Sequence, residues 1–85
     1  MESMNIDRKG LRMVAERFLK RHEVADLGLK IEDVEKVLLE HAKNYGGCIN
    51  CIYSAPYHGR FTWLARHCVL GLRQDSCPAR KPIIG

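Results

Sequence analysis

No part of this 85-residue chain approaches the roughly 18 consecutive apolar residues that a membrane-crossing helix needs. The opening, MESMNIDRKG, lacks the apolar centre of a secretory signal, and the expectation is a cytoplasmic protein without a membrane partner. There is no glycine loop of the phosphate-cradling kind, no H-E-x-x-H helix and no serine in a nucleophile-elbow setting, so the expectation is not an enzyme. Two further absences divide the chain. Residues 1–47 contain no cysteine, and residues 48–85 contain one acid, Asp75.

What is present falls along the same division. The first 47 residues carry nine Lys/Arg against nine acids, whereas Arg60, Arg66, Arg73, Arg80 and Lys81 face Asp75 alone in the remainder. The whole net charge of +4 therefore sits in the half that holds Cys48, Cys51, Cys68 and Cys77. At 46% hydrophobic and 28% charged, the chain reads as globular rather than disordered. One domain of this size buries too small a fraction of its surface to be generously stable, so a covalent or metal staple is expected.

In the N-terminal half, Leu11, Val14, Ala15, Phe18 and Leu19 mark one face of an amphipathic helix from Asp7 to about Glu23. Gly28 breaks that period. A second helix is expected from Ile31 to Tyr45, with Ile31, Val34, Val37, Leu38, Ala42 and Tyr45 on one face, acids in its first turn and Gly46-Gly47 after its end. Residues 47–59 read as a loop, with a short extended piece at 49–53. A third helix is expected over 60–73, burying Phe61, Leu64, Ala65, Cys68 and Leu72, before a tail interrupted by Pro78 and Pro82. The expected fold is mainly α: a single domain over 1–85, made of a helical hairpin over 1–47 and a third helix in a basic, four-cysteine, metal-stapled module over 48–85.

The cysteines are spaced C-x2-C-x16-C-x8-C, and four thiolates are a complete ligand set for one metal centre. A C-x2-C turn folds the backbone so that two sulfurs converge. Cys68 and Cys77 do not repeat that spacing, so the motif resembles only half of a zinc ribbon. Cys77-Pro78 resembles the final ligand of ferredoxin-type runs, which favours a 4Fe-4S cluster, with Zn2+ as the alternative. Disulfides, or a redox dithiol at the C-x2-C, are the non-metal readings. His58, in the expected loop, is the better histidine to replace one sulfur, and His67 the poorer.

A helix over 60–73 would place Arg60, Trp63, Arg66, His67, Leu70 and Arg73 opposite the Cys68 face. Arginines that contact phosphate around a tryptophan that stacks on a base form a nucleic-acid surface, which Arg80 would extend. The same face also suits a protein interface, or Trp63 and Leu70 packed on the hairpin. The expected function is a small metal-stapled nucleic-acid-binding module or accessory subunit of a larger nucleoprotein complex. The alternatives are an iron-sulfur electron carrier and a non-catalytic adaptor.

Overall fold

The computed structural model describes residues 5–45, 47–71 and 81–85. Helix α1 spans Arg8–Leu19, a four-residue α2 spans His22–Ala25, and α3 spans Ile31–Asn44. The Asp7 carboxylate caps α1 by accepting the Gly10 N–H at 2.9 Å. The Lys30 N–H donates to Asp33 at the start of α3. Both apolar stripes are buried as the periodicity predicts, Leu11, Val14, Ala15 and Phe18 on α1 against Val34 and Leu38 on α3. Each such side chain withdrawn from water contributes about 1.5–3 kcal/mol.

The first helix is shorter than its pattern predicts. Arg21 is extended (φ −76°, ψ 138°), and the chain restarts as α2, which buries Val24. The break lets the Arg21 guanidinium donate to the Tyr57 and Gly59 carbonyls, 2.8 and 3.1 Å away. Tyr45 also departs from its stripe: it caps α3 in an extended conformation and is exposed.

The third helix does not form among the described residues. A 3-10 turn, η1 (Gly47–Asn50), leads into strand β1 (Ser54–Pro56), which pairs antiparallel with β2 (Arg66–Cys68) in the register Ser54↔Cys68, Ala55↔His67 and Pro56↔Arg66. Tyr57 N–H to Ala65 O and Val69 N–H to Tyr53 O close the two ends of this hairpin. Tertiary packing overrides the helical period here. Phe61 and Trp63 both reach Phe18, with ring centres 6.2 and 5.6 Å away, and Arg66 and Cys68 are both buried. Two inward pairs spaced i, i+2 belong to extended chain and not to a helix. Leu64, expected inside, is exposed. The fold is thus mainly helical with a small two-stranded sheet.

The segment 81–85 returns to the start of the chain. Ile6 and Ile84 form a bridge, Asp7 N–H donates to Ile83 O, and Ile83 is fully buried in the common core. No helix among the described residues is long and apolar enough to cross a membrane.

Candidate metal centre

The C-x2-C turn is held from several sides. Within it, the Ile49 carbonyl accepts from Arg66 Nη1 at 2.9 Å. The Asn50 side-chain amide exchanges two hydrogen bonds with the Ile84 backbone, at 2.8 and 3.0 Å, much as a paired strand would. The Cys51 carbonyl accepts from both the N–H and the Oγ of Ser54, which is itself buried. Immediately after the turn, Ile52 N–H donates to Lys81 O, and Ile52 O accepts from Arg17 Nη1 at 2.7 Å. The Ile49 carbonyl and both backbone groups of Ile52 are thus bonded to partners distant in sequence.

Gly10 allows this turn to lie on α1. A Cβ there would overlap the Ile52 side chain and stand 3.0 Å from Asp7 Oδ2. Glycine costs a helix interior about 1 kcal/mol relative to alanine, so its place at position 10 marks a close approach of the cysteine region to the helix.

Cys51 and Cys68 are free thiols, both buried. Each sulfur accepts a backbone N–H from the residue two positions on: Tyr53 to Cys51 Sγ at 3.5 Å and Leu70 to Cys68 Sγ at 3.4 Å. The second turn is completed by Gly71, whose N–H donates to Cys68 O and whose φ of 75° is readily adopted only by glycine. Backbone N–H groups directed at sulfur are a common feature around cysteine ligands of metal centres. Register carries the two cysteines toward one another, because Ser54, which is bonded to Cys51 O, pairs directly with Cys68. Cys48 lies in η1. Cys77 lies outside the described residues, as do Arg73 and Arg80. Among the described residues no group of three or more His, Cys, Asp or Glu is gathered for a metal ion.

Arg66 is the residue that sequence reasoning placed on the wrong side. It is 6% exposed, donates to Trp63 O and Ile49 O, and lies over the Phe18 ring with its guanidinium carbon 5.0 Å from the centroid. Burial pulls its pKa down to about 10, which leaves it charged at neutral pH. Among the described residues it has no carboxylate partner, and its buried Nη2 makes no hydrogen bond. Nearby, His41 has a buried Nδ1 without a partner; burial first, and then the Arg66 charge, hold its pKa below the usual imidazole value. An isolated buried cation is expensive unless an anion or a set of strong acceptors compensates it.

The expected outward face is therefore dispersed. Trp63 is stacked on Phe18 at an interplanar angle of 6°, and of the expected contacts among the described residues only Arg60 is exposed. Histidine assignments also change. His67 alternates with the buried Arg66 and Cys68 and so points to the other face of the strand, and His58 packs against it at 4.4 Å between ring centres. The better histidine of the sequence reading thus packs on the poorer one. Arg17 and Arg21, to which the sequence reading assigns no role, show there only as two arginines at i, i+4 beside an apolar stripe.

Compared with known proteins, the chain matches no family model, no curated protein and no solved structure.

Proposed function

We propose that the four cysteines hold one metal centre, a 4Fe-4S cluster, that fixes the C-terminal half of a small accessory module. The supporting observation is the pairing of two buried, N–H-accepting sulfurs with a buried guanidinium that is bonded inside the C-x2-C turn and has no carboxylate partner among the described residues. A four-thiolate centre carries a net charge of about −2, and would stabilise the buried Arg66 cation, which has no carboxylate partner among the described residues. Cys48 and Cys77 complete the ligand set in this reading. Zinc is the second reading, favoured by the β-hairpin that carries Cys68, since zinc ribbons present their ligands from such turns.

The module's partner, on this reading, is nucleic acid within a larger complex, contacted through the basic surplus at Arg60, Arg73, Arg80 and Lys81. Arg66 and Trp63 leave the contact list because their side chains are engaged internally. The exposed Leu64, Val69 and Leu70 near Cys68 favour a protein surface as the second reading of the partner.

Purification without oxygen followed by an absorption spectrum and metal analysis tests the centre. A brown protein with iron and acid-labile sulfide is expected; a colourless protein with one zinc selects the second reading, and a metal-free protein with its cysteines in disulfides overturns both. For the partner, single-stranded and duplex oligonucleotide affinities are expected to fall steeply with salt and to drop in Arg60→Ala/Arg73→Ala/Arg80→Ala. Unchanged affinity in that triple variant would sink the nucleic-acid reading.

A further inference from the structure

We propose that His58 and His67 form a second, separate cation site, taking a divalent transition metal of tetragonal preference such as Ni2+ or Cu2+ between two imidazoles. The pair lies on the hairpin face opposite the buried Arg66 and Cys68. Its ring centres are 4.4 Å apart, with the planes tilted by 32°. With metal–nitrogen bonds of ~2.0–2.1 Å, two imidazoles at a right angle around one ion have centres about 4.5 Å apart, and at the tetrahedral angle about 5 Å. The observed spacing is near the right-angle value, which puts the two rings within reach of one shared ion, and imidazole suits Ni2+ and Cu2+.

Both residues stand on fixed backbone. His67 is at the centre of β2, paired with Ala55. His58 follows β1, and the carbonyls on either side of it, Tyr57 O and Gly59 O, are both held by the Arg21 guanidinium. Arg21 is itself steadied by Glu23 and lies over the Phe61 ring at 5.5 Å. A chelating pair whose backbone is already in place loses little conformational entropy on binding. His58 is exposed and His67 half-buried, so an ion reaches the pair from solvent and keeps water in its remaining positions. Such a site exchanges its ion readily, whereas four thiolates close a coordination sphere.

The test is calorimetric titration of Ni2+ into the full chain with its cysteine centre already loaded, the absorption and metal content of that centre being followed in parallel. One Ni2+ per chain is expected, with the cysteine centre unchanged. His58→Ala and His67→Ala should each weaken binding at least ~10-fold, while His22→Ala, on the exposed side of α2, leaves it alone. Should His67→Ala not fold, His58→Ala on the exposed loop decides the matter by itself. Equal affinity in His58→Ala, or Ni2+ that enters only by displacing metal from the cysteines, would overturn the proposal. Because the histidine variants leave all four cysteines in place, failure here is distinct from failure of the cysteine centre.

Discussion

Residues 8–44 and residues 47–71 are packed on one another but held by different forces. The helical region relies on apolar burial: Leu11, Val14, Ala15, Phe18, Val24, Val34 and Leu38 are essentially withdrawn from solvent, and its link between helices by charge is the surface pair Arg12–Glu35. The hairpin region contains little regular structure to occupy its carbonyls. Three arginines take over that task, with Arg17, Arg21 and Arg66 donating to Ile49, Ile52, Ser54, Tyr57, Gly59 and Trp63 oxygens. Basic residues around a cysteine motif suggest an acidic partner. Here much of the cationic character facing the motif serves the backbone, and a charge surplus alone does not locate a binding surface.

The largest effect should come from Phe18→Ala, which removes the ring that Phe61, Trp63 and Arg66 all share. A loss of about 3–5 kcal/mol is expected. Urea unfolding followed by Trp63 fluorescence and by helical circular dichroism should shift together. If the fluorescence transition moves alone, the two regions are separate cooperative units and differ by more than the forces that hold them.

Arg66→Met sharpens the difference in kind. With the metal in place it removes a compensating cation and two charge-assisted hydrogen bonds, and should cost about 2–4 kcal/mol and speed metal release to a chelator. In the metal-free protein the same change removes a buried charge that has no carboxylate partner among the described residues, and should cost much less. Equal losses with and without metal would mean that Arg66 serves the turn alone and not the charge of a centre.

Gly10→Ala probes the seam between the regions. The added methyl meets Ile52, and overpacking of about 1–3 kcal/mol should outweigh the ~1 kcal/mol gained in helix propensity, read as a lowered unfolding midpoint. Smallest is a pH effect. In the folded state the His41 pKa is lowered by burial and by Arg66, so the unfolded chain binds a proton more readily. Its contribution is fully present above the unfolded value of about 6.5 and is lost as pH falls from there through the lower folded value. His41→Gln should flatten the denaturation midpoint over that window; an unchanged slope would refute the assignment.

Both long helices were legible in the sequence because a 3.6-residue apolar period sustained over 12 to 14 residues puts its side chains on one face of a helix and on no single face of a strand. The hairpin was not. Phe61, Leu64, Ala65 and Cys68 fit a helical face, yet Phe61-x-Trp63 and Arg66-x-Cys68 fit alternation equally well, and the choice was made by Phe18, more than 40 residues earlier in the chain. The spacing of Cys48 and Cys51 identified a turn correctly. That the turn is gripped by Asn50 and Arg66 depends on pairings of 17 and 34 residues, which no local pattern encodes.

The return of residues 81–85 has a consequence for the order of events in folding. Ile84 bridges Ile6 and holds Asn50, so a single short segment closes both the start of α1 and the C-x2-C turn. Contacts so distant in sequence form late, after the local helices, because the entropy of closing a long loop must first be overcome. On a ribosome the turn is therefore made before Ile84 can clasp it. The last residues of the described chain thus set when two distant parts of the molecule are closed together.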